Sequence, residues 1–181
     1  FPTINSTLSP NELGKLIQQK YGLSDNTKCS IIRLAMNHLY LVQDDEGKYV
    51  FRVYTHNWRT KLEIEEELRL LLHLKEADRQ IAYPIADKSD EYLQEIEAPE
   101  GKRFGVLFSF AKGIKTAIFS AETSFFIGQA LAKVHQSTDR FELNRMTYDT
   151  QNLLINPVLK TKEYYNKNVT EIEFLEKLSS F

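Results

Sequence analysis

The sequence predicts an α+β fold, an antiparallel sheet of about five strands with a flanking helix, followed by several helices. Three observations predict it. Residues 39–54 alternate as a hairpin does, in two β-rich runs on either side of Asp44-Asp45-Glu46-Gly47. From about residue 59 to 76 the apolar period becomes helical. After Gly113 strand patterns cease and helical ones take over. These changes divide the chain into a mainly β lobe, residues 1–111, and a helical segment, residues 112–181.

Composition narrows the functional classes. At 181 residues, with 42% hydrophobic and 27% charged side chains, the chain has the make-up of a soluble globular protein with a sizeable core. A formal net charge of −2 and the lack of a Lys/Arg cluster argue against nucleic acid as a partner. No apolar run approaches the roughly 18 residues of a membrane span, so no membrane partner is expected. The single cysteine, Cys29, cannot close an internal disulfide, and a cytoplasmic setting fits that. The chain begins at Phe1 with no signal-peptide pattern and reads as cut at its start.

Taken in order, Ser9-Pro10-Asn11-Glu12 is a capping box with proline at the first helical position. Leu13, Leu16, Ile17 and Tyr21 make the apolar stripe of that helix, and Gly22 stops it. Residues 29–34 read as a strand leading into the hairpin. Residues 81–86, with Pro84 inside, predict a short edge strand, and residues 90–96 a further one. Residues 104–110 form a continuous apolar run suited to a buried strand. Ser120 caps a helix to about residue 136, with Ile127, Ala130, Leu131 and Val134 along its buried side and Gly128 marking a close approach. Residues 139–157 predict irregular structure or a short helix, broken at Asn156-Pro157. Thr170-Glu171-Ile172-Glu173 opens a last helix.

Two charged residues stand out. In the second hairpin strand Tyr49, Phe51 and Val53 share one face, and Val50, Arg52 and Tyr54 the other. A permanent charge between two large apolar neighbours is costly unless an anion waits there. A solvated sheet face is the plain alternative. On the following helix Ile64, Leu68, Leu71 and Lys75 fall on one line, and Glu67 projects between Ile64 and Leu71, inside the apolar face. Glu66 lies outside that face, and Glu63 and Glu65 at its edges. Arg52 and Glu67 are therefore expected to pair, with Glu63 as the alternative partner.

Familiar catalytic signatures are missing. The four histidines (His38, His56, His73, His135) have no metal-ligand spacing, and no HExxH, CxxC, GxSxG, Walker A or GxGxxG pattern occurs. What remains is an order of elements: strand, loop, strand, turn, strand with a basic residue, helix with a core-facing glutamate, strands, then helices. That is the order of a kinase N-lobe, in which a cation on the third strand holds nucleotide phosphates and a helix glutamate orients it.

The sequence resembles the aminoglycoside phosphotransferase and homoserine kinase group of small-molecule kinases, which share a protein-kinase-like fold. The resembling stretches are Asn37-His38-Leu39-Tyr40, Tyr49-Val50-Phe51-Arg52-Val53 and Glu67-Leu68-Arg69-Leu70-Leu71, then residues 106–113 and 127–135, in order across about residues 8–180. The resemblance implies ATP with Mg²⁺ as cofactors and a small-molecule hydroxyl as substrate of the full-length protein. It makes Arg52 the phosphate ligand, in place of the commoner lysine, and Glu67 its partner. Ser109 and Ala111 become hinge positions whose backbone would bind the adenine edge, and residues 34–37, ending at Asn37, the loop over the phosphates. That loop lacks the glycines that permit close backbone approach. No HxDxxxxN loop follows His135, and Tyr148-Asp149-Thr150-Gln151-Asn152 has the wrong spacing for one. The expectation is the N-terminal lobe and first helices of a longer kinase, binding nucleotide without transferring phosphate. A non-catalytic interaction module is the alternative. A purely structural domain would leave Arg52 and Glu67 unexplained.

Overall fold

Helix α1 (Pro10–Tyr21) starts with Pro10 in its first turn and ends at Gly22, whose φ of 70° only glycine adopts without strain. Ser9 occupies the N-cap position but makes no side-chain capping bond, so the expected capping box does not form. The Glu12 carboxylate accepts instead from Lys15, 2.8 Å away. The protein is described by a computed structural model that covers residues 2–113, 118–165 and 169–179.

Five antiparallel strands follow, β1 (Lys28–Leu34), β2 (Asn37–Asp44), β3 (Gly47–Tyr54), β4 (Gln94–Ala98) and β5 (Gly101–Ser109), in the spatial order β1-β2-β3-β5-β4. Asp44 faces Gly47 across the tight turn that joins β2 to β3, as the hairpin pattern predicts. The expected strand over 81–86 is not one. Pro84 makes an isolated bridge to Phe108, beside bonds from Ile85 N–H to the Leu107 carbonyl and from Ser109 N–H to Tyr83. Proline has no N–H with which to extend that ladder.

The strand expected from residue 90 begins later, at Gln94, because Asp87 ties the preceding residues into a turn. Its buried carboxylate accepts the N–H groups of Ser89 and Glu91 and the Gln94 amide. Burial pushes the Asp87 pKa up, but these bonds outweigh it and leave the group below its ordinary 3.8. A depressed folded-state pKa gives stability that is present above about pH 4 and is lost as pH falls through the folded value. Asp87→Asn should therefore flatten part of the acid limb of a stability–pH curve below pH 4. An unchanged limb would contradict this.

Helix α2 (Lys61–Glu76) covers one face of the sheet and α1 the other. Leu13, Ile17, Tyr40, Val42, Phe51, Val53 and Leu107 form the α1-side core. Ile64 and Leu68 of α2 meet Tyr54, Val106 and Phe108 on the opposite side. Burying each aliphatic side chain contributes roughly 1.5–3 kcal/mol, which fixes the α2 axis against β3 and β5. Thr60 caps α2 in a full capping box: its hydroxyl accepts Glu63 N–H at 3.2 Å, and the Glu63 carboxylate accepts Thr60 N–H at 2.9 Å.

Helix α3 (Ala121–Thr138) is capped by Ser120 as expected, but its predicted buried side is exposed, with Ile127 at 48% and Leu131 at 53%. Among the described residues a Cβ added at Gly128 would meet nothing within 4 Å, so none of them makes the close approach expected there. Among the described residues the bonds that reach this segment come from α2, near its C-terminal end: His73 bonds the Ser137 carbonyl at 2.7 Å, and the Arg69 guanidinium lies 4.3 Å from the Phe141 ring.

The chain forms two compact units, one ending at Leu143 and one beginning at Asn144. In the second, a π-helical turn (Gln151–Ile155) runs straight into α4 (Asn156–Tyr164), and α5 (Val169–Ser179) follows. The break expected at Asn156-Pro157 is a helix start, because proline is tolerated in a first turn. Lys162 on α4 pairs with Glu176 on α5 at 2.7 Å. Among the described residues no helix is long and apolar enough to cross a membrane.

Candidate functional site

Register places the site. Leu39 lies opposite Arg52 and Arg52 opposite Val106, while Leu41, Val50 and Phe108 form the adjacent row on the same face. α2 covers the Val106 and Phe108 end of these rows, and Leu39, Leu41 and Val50 remain only half-buried. The result is an apolar shelf with Arg52 at its edge.

Arg52 and Glu67 do pair. Nη1 of Arg52 donates to Glu67 Oε1 at 2.6 Å, and the side chains stay 30% and 24% exposed, so a ligand can reach them. Glu63, the alternative partner, is taken by the Thr60 cap and by Arg59 at 3.2 Å. Glu66 turns to Arg69 at 2.8 Å. The Arg52 guanidinium lies 4.6 Å from the Phe108 ring centre, where a cation is favoured by the ring quadrupole. Burial works against its charge, but Tyr54 and Glu67 outweigh that and raise its pKa further. Burial, with the Glu67 charge adding to it, pushes the Tyr54 hydroxyl up to about 12. The arrangement is a fixed cation, oriented by one carboxylate and two aromatic rings, at the rim of an apolar surface. Chemically it can neutralise an anion attached to a flat apolar group.

Asn37 opens β2 opposite Tyr54, and its Oδ1 is buried with no partner among the described residues. The turn before it is tied to the β3–α2 connection by a bond from the Thr55 hydroxyl to the Met36 carbonyl. Ser109 ends β5, where its hydroxyl accepts Tyr83 N–H at 3.0 Å. Ala111 follows, exposed, just beyond the sheet. The structure brings Arg52 and Glu67 into contact and sets Asn37 two pairs along the same strands, while Ser109 and Ala111 stand at the exit from β5. A separate cleft of about 460 Å³ on the α1 side, lined by Tyr21, Asp44, Tyr49, Ile85 and Leu107, holds none of these residues.

Sequence reasoning missed Tyr54 and Phe108 as parts of the site, although their alternation with Arg52 and Val106 carried the signal. It also missed the buried cluster on the other face. There Arg103, 1% exposed, donates to the carbonyls of Tyr54 and Ser6 and lies 3.4 Å from Glu100. Among the described residues no group of three or more His, Cys, Asp or Glu side chains converges as a metal site.

An antiparallel sheet with a strand-borne cation, a glutamate on the helix over it and helices beyond is the architecture of kinase-like phosphotransferases. The model of the phosphotransferase enzyme family matches residues 31–168, and the chain belongs to that family. An uncharacterised protein of Synechocystis sp. is 35% identical over 143 residues, covering 78% of this chain and 40% of its own length. One of Deinococcus radiodurans is 29% identical over 159 residues, covering 87% and 46%. The chain thus spans less than half the length of these two relatives.

Among solved structures, an amicoumacin kinase in complex with AMP-PNP and Ca²⁺ matches with a TM-score of 0.68 at 15% identity, over 90% of this chain and 54% of that one. A microcompartment-associated aminopropanol kinase gives 0.64 at 21%, over 78% and 46%. A spectinomycin phosphotransferase in complex with ADP and spectinomycin gives 0.57 at 16%, over 96% and 59%. At these identities the likeness is one of fold.

Proposed function

We propose that this chain is the ATP-binding portion of a phosphotransferase that phosphorylates a hydroxyl group of a small molecule. The observation that carries the reading is the Arg52–Glu67 pair, held at 2.6 Å beside a half-buried apolar shelf. The shelf made by Leu39, Leu41 and Val50 takes the flat face of the base, and Arg52 takes the phosphates. Ser109 and Ala111 offer backbone groups to the adenine edge where β5 leaves the sheet, and Asn37 lies beside the phosphate end. These five residues, Arg52, Glu67, Ser109, Ala111 and Asn37, are the proposed nucleotide contacts, and the functional boundary falls at residues 111 and 112.

Phosphoryl transfer rests on positioning and charge neutralisation, and a cation pre-oriented by a carboxylate supplies both for the phosphate chain. Mg²⁺ would arrive bound to those phosphates. No residue of this chain is assigned the role of base, since no HxDxxxxN segment occurs in it. The chain alone is therefore expected to bind nucleotide and transfer nothing. Calorimetric titration with ATP and Mg²⁺ should show saturable binding with one-to-one stoichiometry. A folded chain that takes up no ATP would overturn the reading and favour an interaction module.

A further inference from the structure

We propose that Tyr54 is the positioning residue that fixes the Arg52 guanidinium for phosphate binding, a role that rests on the nucleotide reading above. Arg52 meets Glu67 through a single nitrogen, Nη1, at 2.6 Å. One bond of that kind leaves a guanidinium able to swing about it, whereas a second acceptor for the other N–H of the same nitrogen fixes the plane of the group. The Tyr54 hydroxyl supplies that acceptor. It accepts from the same Nη1 at 3.4 Å, a long bond made by a group that has little room to move.

Tyr54 is 2% exposed, and its ring is packed in the core with Ile64, Leu68, Val106 and Phe108. Its main-chain carbonyl is held from the far side of the sheet by Arg103 Nε at 2.9 Å. A residue two places along a strand points to the same face, so Tyr54 reaches Arg52 without any bend in the backbone. Among the described residues both polar contacts of Arg52 use Nη1, which leaves Nη2 and Nε as donors for an incoming phosphate. Phe108 holds the guanidinium carbon over its ring, 4.6 Å from the centre, while Tyr54 sets the direction of the group.

The test compares wild type, Tyr54→Phe, Arg52→Ala and the double variant in calorimetric titrations with ATP and with adenosine. Tyr54→Phe keeps the ring in the core and removes only the hydroxyl. ATP affinity should fall about three- to tenfold, the usual range for one lost hydrogen bond, while adenosine affinity stays the same. The double variant should bind ATP no worse than Arg52→Ala, because Tyr54 acts through Arg52. Unchanged ATP binding in Tyr54→Phe, with a clear loss in Arg52→Ala, would overturn this inference alone. Equal losses for ATP and adenosine would make the hydroxyl a general structural element and overturn it too. If Arg52→Ala binds ATP as wild type does, the nucleotide reading itself fails, and this inference fails with it.

Discussion

Arg52→Ala is expected to weaken ATP binding about ten- to a hundredfold, the ~1.5–3 kcal/mol of a hydrogen bond to a charged group. The loss should be confined to the phosphates. Adenosine carries no phosphate, and on the proposed reading it meets only the shelf of Leu39, Leu41 and Val50 and the backbone at Ser109 and Ala111, so its affinity should not change. On the proposed nucleotide reading, the site also accounts for arginine in place of lysine. The guanidinium carbon lies 4.6 Å from the Phe108 ring centre, and a delocalised, weakly hydrated cation gains more from such a ring than a compact, strongly hydrated ammonium does. Arg52→Lys should therefore restore the pairing with Glu67 but only part of the affinity. Competition of ATP and adenosine for one fluorescent nucleotide would read both effects. Full recovery with lysine would mean that the aromatic support contributes nothing.

Arg103→Ala should cost about 3–5 kcal/mol of stability, as much as truncating a core aromatic. The Glu100 side chain is 1% exposed and Arg103 is its cationic partner at 3.4 Å, so truncation leaves a buried carboxylate without its counter-charge. Glu100 then keeps the Ser6 bonds, from its hydroxyl at 2.6 Å and its N–H at 3.2 Å, but no cation among the described residues. The carbonyls of Ser6 and Tyr54 lose a donor as well. Chemical denaturation would measure the loss. The double variant Arg103→Met with Glu100→Leu should recover much of it, since replacing both members of a buried pair with apolar groups is often neutral. A single variant as stable as wild type would show that the cluster is not anchored as described.

The elements near the site were legible because their patterns are local. Strand alternation put Arg52 and Tyr54 on one face, and helical periodicity put Glu67 between Ile64 and Leu71; packing of α2 on that same face brought the two charges together. The choice between Glu67 and Glu63 was also written in the chain. Thr60-Lys61-Leu62-Glu63 is itself a capping box, and its glutamate is used there. Ser9-Pro10-Asn11-Glu12 carries the same spacing without forming the bonds: the Ser9 side chain makes no capping bond, and Glu12 pairs with Lys15 one turn on.

The rest depended on contacts distant in sequence. A helical stripe such as Ile127, Ala130, Leu131 and Val134 states which side is apolar, not whether another element covers it, and α3 buries none of them. Pro84 gave a strand-like run that pairs at one bridge only. Arg103 stands just before the apolar run of residues 104–110 and drew no expectation. Its partners, Ser6 and the Tyr54 carbonyl, lie 97 and 49 residues away, and no local period reports them.

The most direct test is a crystal structure of the protein with a non-hydrolysable ATP analogue and Mg²⁺. The account predicts the base on Leu39, Leu41 and Val50, the phosphates within hydrogen-bonding distance of Arg52 Nη2 or Nε, and the Glu67 contact kept. Phosphates bound away from Arg52, in the cleft beside Tyr21 and Tyr49 on the other face of the sheet, would contradict it.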